Sequence, residues 1–173
     1  MFKSFFSNKK TNFYLFCSLI SIIGIISVFI IKDVTSKKTQ ITNRIQKQII
    51  TKENDANKIL SLLITELRST PKSESYFTIT NTFNLGSRSE TYLIFEKDSL
   101  VFWSNNKIPI YDNYQNNLFT SGLNFLENGY YDLRKLSDEE ITIIALIPIK
   151  YNYTFDNEFL KHEFAEFLHL NSK

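Results

Sequence analysis

The side chains of this chain that could do chemistry are few. His162-Glu163-Phe164-Ala165-Glu166 opens like a zinc-binding helix, in which two histidines four residues apart ligate the metal. Here Glu166 stands where the second histidine would be. On a helix His162 and Glu166 face the same way, one turn apart. Two ligands leave a tetrahedral site half empty, and no third candidate has a diagnostic spacing. The expectation is therefore a solvated polar face and no metal. A second group, Trp103, Tyr130, Tyr131 and Arg134, combines aromatic rings with a guanidinium, a set able to hold a small carboxylate or an amine. The plainer alternative puts Trp103 and one tyrosine in a core and leaves Arg134 solvated. Because Trp103 ends an arm that is apolar on both faces, its indole is expected to be mostly buried.

Enzyme signatures are missing from the sequence. Four glycines, Gly24, Gly86, Gly122 and Gly129, are too scattered to form a phosphate-cradling loop. No serine sits in a nucleophile elbow, and the only cysteine, Cys17, lies in an apolar run. These features predict no catalytic residues and no cofactor. The net charge of +2 comes from scattered basic residues with no Arg/Lys stripe between aromatics, which argues against nucleic acid as a partner.

The elements that must position these residues begin with residues 13–31, nineteen in a row without a charge. As a helix they span roughly 28 Å, close to the hydrocarbon thickness of a bilayer. A cleaved signal peptide has a shorter apolar core, and Lys32 and Asp33 intervene before the nearest small-residue site at Val34-Thr35-Ser36. A lipoprotein signal needs small residues before Cys17, where Tyr14, Leu15 and Phe16 stand. An uncleaved single-pass anchor is the expectation. Charge leaves its orientation open: Lys3, Lys9 and Lys10 precede it, and Lys32, Lys37, Lys38, Arg44 and Lys47 follow.

Beyond a tail at residues 1–12 and the anchor, two further segments are expected: a long helix at 33–69 and an exported domain at 74–173. In the helix, apolar or small residues recur at Ile41, Ile45, Ile49, Ala56, Leu60, Leu63 and Leu67, about 3.7 residues per step, nearer a straight helix than a left-handed coiled coil. The fatter distal half (Ile59, Leu60, Leu62, Leu63, Ile64, Leu67) suits packing on the domain. The proximal half, with isolated Ile41, Ile45 and Ile49, suits pairing with a second copy or a partner helix; alternatively the whole stripe covers one sheet. Pro71 is expected to end the helix.

Sixteen Phe and nine Tyr against one Trp and one Met favour a strand-rich core. Residues 76–83 alternate with Thr and read as a strand. Residues 91–96 and 100–104 read as a hairpin around Lys97-Asp98-Ser99, with both arms apolar on both faces, which implies a sheet covered on each side or on a ligand cavity. Residues 105–122 read as loop. Residues 130–136 and 141–149 form a second hairpin around Ser137-Asp138-Glu139-Glu140, and Pro148 belongs at a strand end. A last helix is expected from Asn157, capped by Asp156, with Phe155 and Leu160 as a hydrophobic staple. The fold class is α+β: a transmembrane helix, a long amphipathic helix, then an antiparallel sheet with a short C-terminal helix.

Three segments carry a resemblance: "YLIFEKDSLVFWSNNKIP" at 92–109, "LENGYY" at 126–131 and "IALIPIKYNYTFDNEFLKHEF" at 144–164. Within them stand Phe102-Trp103-Ser104, Asn128-Gly129-Tyr130-Tyr131, and Ile149-Lys150-Tyr151-x-Tyr153-x-x-x-Asn157-x-Phe159-Leu160-x-x-Glu163-Phe164. In this order they resemble the extracytoplasmic sensor region of a group of bacterial two-component histidine kinases. The resemblance implies an anchor with its N-terminus inside, a periplasmic Cache/PAS-like sensing domain in the inner membrane, and signal transfer to a kinase through a second membrane helix. The sequence given stops at Lys173 without a second span, a phosphoacceptor helix or ATP-binding boxes. It is thus expected to be the front of a longer protein or an anchored partner of a kinase, with no catalysis of its own. The expected function is a membrane-anchored sensory input module, working as a homodimer or with a kinase, its small-molecule ligand unknown. The alternative is an anchored periplasmic structural or interaction protein. A pocket lined by Trp103 and Tyr130 would favour the first, and a filled core with an exposed apolar patch the second.

Overall fold

The computed structural model describes residues 9–69, 72–108, 119–155 and 157–170. The chain divides into two compact units, Met1–Gln46 and Lys47–Lys173. Helix α1, Lys9–Ser69, runs without interruption, so the anchor and the long helix expected as separate elements are one.

In the first unit the apolar residues between Phe13 and Ile31 are all exposed. The helix contains an 18-residue window of mean hydropathy 2.6, none of it buried, and is long and apolar enough to cross a membrane. Its hydroxyls turn back onto the helix: Ser21 Oγ donates to the Cys17 carbonyl, Ser27 to Ile23 and Thr35 to Ile31, at 2.8–3.0 Å. Such bonds reduce the cost of placing these hydroxyls in an apolar surrounding.

The second unit is built on a five-stranded antiparallel sheet. Its strands are β1 Thr91–Glu96, β2 Ser99–Trp103, β3 Gly122–Leu126, β4 Gly129–Ser137 and β5 Ile141–Tyr151, in the spatial order β2-β1-β5-β4-β3. The central strands are apolar on both faces because both are covered. On one face, Ala56, Ile59, Leu60, Leu63, Ile64 and Leu67 of α1 pack on Tyr92, Ile94, Ile143, Ala145 and Ile147. On the other, Ile108 and Phe119 flank the crossing between β2 and β3 and close over Leu93, Phe95, Leu126, Tyr131, Leu133, Ile144 and Leu146. Each fully buried Leu, Ile or Phe side chain contributes about 1.5–3 kcal/mol. This places the protein in the α+β class.

Five expectations need correction. Residues 76–83 are not a strand: α2, Lys72–Phe83, is a helix. Tyr76, Ile79 and Phe83 recur at helical spacing, and all three join the α1-side core, so burial at period 3.6 outweighs the β-propensity of Thr and Tyr. The C-terminal helix from Asn157 does not form. The Asn157 side-chain oxygen accepts the backbone N–H groups of Phe159 and Leu160, both at 2.8 Å, as a helix cap would, but residues 163–165 pair with the end of β5 instead of continuing into a helix. Phe155 is 76 % and Leu160 39 % exposed, so the expected staple does not pack, and the described residues of the segment hold one 3-10 turn, Glu166–Leu168. The Asp156 cap, Pro71 and positions 109–118 of the expected loop lie outside the described residues. Strand β3, five residues on the sheet edge, went unrecognised in sequence because its length carries almost no periodic signal.

Trp103 is the fourth correction. It is 48 % exposed, because β2 is an edge strand and Trp103 stands at its end, donating its indole N–H to Asn106 Oδ1 at 3.0 Å. Pro148, expected at a strand end, lies inside the central strand β5, where the β4–β5 register shifts between Tyr130 and Tyr131 and so accommodates its missing N–H.

Candidate functional site

The four residues singled out as an aromatic and cationic group are dispersed. Trp103 is on edge strand β2, three strands from β4. Tyr130 is exposed and packs on Phe125 across the β3–β4 pair, ring centroids 4.9 Å apart. Tyr131 is buried in the cluster that contains Ile108 and Phe119 and donates its hydroxyl to Asn128 Oδ1 at 2.9 Å; burial pushes its pKa well up. Arg134 faces α1, where it pairs with Glu53 and with Asp132, the latter at 3.1 Å. Burial raises Glu53, and a hydrogen bond from its protonated carboxyl to Asp132 adds to this against the pull of Arg134. Arg134 is therefore a fastener between sheet and helix. Nearby, Lys52 reaches Glu90 at 2.7 Å and lies 5.5 Å from the centroid of the Phe167 ring. Of the isoleucines expected to form a dimer seam, Ile41 is exposed, while Ile45 and Ile49 are half-buried.

A different set of residues forms concave surface. The C-terminal segment returns along the end of β5: Ala165 N–H donates to the Ile149 carbonyl at 3.0 Å, and Tyr151 N–H to the Glu163 carbonyl at 2.8 Å. Lys150 and Phe164 are paired as an isolated antiparallel bridge. His162 is half-buried, with Nδ1 3.1 Å from Asn152 Oδ1; without a helix, it does not share a helical face with Glu166. Among the described residues no group of three His, Cys, Asp or Glu could hold a metal ion.

Two clefts open around this return. One, of about 540 Å³, is lined by Asn106, Lys107, Ile108, Asn128, Tyr151, Tyr153 and Leu160. The other, of about 430 Å³, is bounded by Lys107, Tyr151, Glu163, Glu166 and His169 among others. Lys107 and Tyr151 line both. Asn128 fixes the wall between them, donating to the Lys107 carbonyl at 2.7 Å while its own oxygen receives the Tyr131 hydroxyl. The Tyr151 and Tyr153 rings stack nearly parallel, 9° apart, with centroids at 6.0 Å. Burial raises both phenols, Tyr151 further through Tyr153 and both through Glu163, so they stay protonated and able to donate.

Gly129 makes this end of the sheet possible. A Cβ there would stand 2.4 Å from the Lys150 carbonyl oxygen and 3.1 Å from Tyr151 Cα. Sequence reading did not single out Lys107, Tyr151, Tyr153, Glu163 and Glu166 as a site. Their one signal was that the first four lie inside the resembling segments. No family model, curated protein or solved structure matches the chain.

Proposed function

We propose that this chain is a membrane-anchored, extracytoplasmic sensory input module of the Cache/PAS-like kind found in two-component histidine kinases, with no catalysis of its own. One observation carries the reading. Every described residue lining the 540 Å³ cleft comes from the three segments that resemble kinase sensor regions: Asn106, Lys107 and Ile108 from the first, Asn128 from the second, Tyr151, Tyr153 and Leu160 from the third. Residues far apart in sequence that converge on one concavity are what a ligand-reading site requires. In this reading residues 13–31 span the bacterial inner membrane, the sheet unit is periplasmic, and a homodimer or a kinase partner receives the signal along α1, with Ile41 the most open of the seam candidates.

The test is a chimera. Residues 1–170 are placed ahead of the second membrane helix and kinase of a two-component system with a transcriptional reporter. The expected result is a kinase output that Tyr151→Ala changes at least threefold without loss of the protein from the membrane. An output indifferent to Tyr151→Ala and to Lys107→Met overturns the reading.

A second reading has its own support. Leu123, Phe125 and Tyr130 form an exposed apolar patch on the β3–β4 edge, and neither Trp103 nor Tyr130 lines the two clefts described. An anchored interaction protein would use such a patch. In the same chimera, Phe125→Ser would then alter output and Tyr151→Ala would not.

A further inference from the structure

Charge does not balance where α1 meets β4. Arg134 Nη2 donates to Glu53 of α1 and to both carboxylate oxygens of Asp132, the latter at 3.2 and 3.1 Å. Two carboxylates thus converge on one nitrogen of a single guanidinium. With all three groups ionised the cluster carries one negative charge in excess. Its neighbours bring no second cation. Opposite Asp132 stand Leu123 of β3 and Ile147 of β5, and opposite Arg134 stands Ala145. Lys135, the next residue of β4, belongs to the other face of the sheet by alternation. One turn away on α1 stand Ile49, Ile50, Ala56 and Asn57, none of them charged. The adjacent Lys52 is turned to Ser89, Glu90 and the Phe167 ring. Water reaches the cluster only in part: Asp132 is 6 % exposed, and the Glu53 and Arg134 side chains 23 % and 26 %.

Two carboxylates that share one site resist ionising together, and one of them binds a proton more readily than it would alone. Asp132 is the better placed to keep its charge, because it also accepts from Arg134 Nε at 3.3 Å, whereas Glu53 accepts from Nη2 only. Glu53 is therefore the proton acceptor. Its protonated carboxyl donates to Asp132 and still accepts from Arg134, which leaves the cluster neutral and every member bonded. Burial first, and the bond to Asp132 second, raise its pKa above the ordinary 4.5. A lone ion pair between helix and strand loosens in acid. This arrangement does the reverse.

We propose that Glu53, Asp132 and Arg134 form a proton-operated clasp between α1 and β4, in which uptake of one proton at Glu53 tightens the helix on the sheet and makes acidity an input to α1. The clasp stands on the contacts above; that α1 passes the change on rests on the sensory reading.

The experiment uses the full chain in detergent micelles. Carbon-13 resonances of the glutamate carboxyls, assigned through the backbone, follow the proton directly. The Glu53 midpoint should lie above 4.5 in the wild type and fall in Asp132→Asn, where Arg134 serves Glu53 alone. A carboxyl whose folded pKa is raised adds stability as pH falls through that raised value, in full below the unfolded value. Glu53→Gln imitates the protonated form at every pH. Between about pH 7.5 and about pH 5 the urea midpoint of the wild type should rise by about 0.2 M or more relative to Glu53→Gln. All other titrating groups are common to both proteins and cancel in the difference. A Glu53 midpoint at or below 4.5, or a wild type that tracks Glu53→Gln, overturns the clasp. In the chimera, kinase output should change about twofold or more between the same two pH values, and the change should vanish in Glu53→Gln. Output that ignores acidity but answers to Tyr151→Ala overturns the input role and leaves the sensory reading standing. Output indifferent to Tyr151→Ala and Lys107→Met sinks the sensory reading, whatever Glu53 does.

Discussion

Residues 13–31 and 56–67 belong to one helix, and both are rich in isoleucine and leucine. In the first stretch every side chain is exposed; in the second, Ala56, Ile59, Leu60, Leu63, Ile64 and Leu67 are buried against the sheet while Leu62 remains outside. The difference is one of arrangement rather than of hydrophobicity. A helix apolar all round has no side to give to a sheet and needs a solvent that is itself apolar; a helix with a stripe needs one partner. The two units thus answer to different solvents. The same substitution should have unequal effects in them.

The largest contrast is expected from truncating a leucine-sized side chain. Leu63→Ala empties a fully buried position on the sheet and should cost about 2–5 kcal/mol. Ile22→Ala, at an exposed position of the first unit, should change the stability of the sheet unit by less than about 0.5 kcal/mol. Urea unfolding of the full chain in detergent micelles, followed by Trp103 fluorescence, measures both. A comparable loss for Ile22→Ala would mean that residues 13–31 pack on protein and would break the comparison.

Glycine provides the next matched pair. At Gly129 an added methyl meets backbone that cannot swing aside, so Gly129→Ala should cost about 1–3 kcal/mol and disturb the clefts around Tyr151. At Gly24 an added methyl meets nothing within 4 Å, and alanine should be neutral or favour the helix by up to about 1 kcal/mol. The same unfolding experiment reads the first effect, and helix content by circular dichroism the second. A Gly129→Ala variant of native stability would show that the β4–β5 approach is looser than these distances.

The arrangement behind these contrasts was legible in sequence wherever a pattern ran long enough. Nineteen uncharged residues, the stripe from Ala56 to Leu67, and the turns at Lys97-Asp98 and Ser137-Asp138 each have a local cause, and α1 and the hairpins follow from them. The misread elements are those where a local preference competed with something distant. The eight residues from Tyr76 to Phe83 alternate like a strand, and only the core under α1 selects the 76-79-83 spacing of a helix. At Asn157 the side-chain cap of a helix is in place, but residues 163–165 are drawn into pairing with the end of β5. The candidate site was the least legible part. Arg134 answers to Glu53, 81 residues away, and Lys107 shares a cleft with Glu163 through strand order alone. No spacing rule joins residues that meet only when a sheet forms.

Ion pairs give the smallest contrast. In the first unit Lys37 and Asp33 pair at 2.7 Å one turn apart, with both side chains mostly in solvent, so Asp33→Asn should leave stability unchanged within error. In the second unit Asp138 ties the β4–β5 turn: its carboxylate accepts the N–H groups of Ile141 at 2.7 Å and Glu140 at 3.0 Å, and Arg68 of α1 at 2.8 Å. The Ile141 bond first, and the Arg68 bond second, hold its pKa below the ordinary aspartate value of 3.8. A carboxylate whose folded pKa is depressed binds its proton more readily when unfolded. Its contribution is therefore fully present above the unfolded value and is lost as pH falls through the lower folded value. Wild-type stability should decline with acid across that window, and Asp138→Asn should flatten this part of the decline. Asp33→Asn should leave the acid limb where it was. Urea midpoints taken at intervals from pH 6 down to roughly pH 3 compare the three proteins. If Asp138→Asn keeps the wild-type slope, the turn does not draw its stability from this carboxylate, and the helix–sheet seam rests instead on apolar packing and on pairs such as Arg134–Glu53 and Lys52–Glu90.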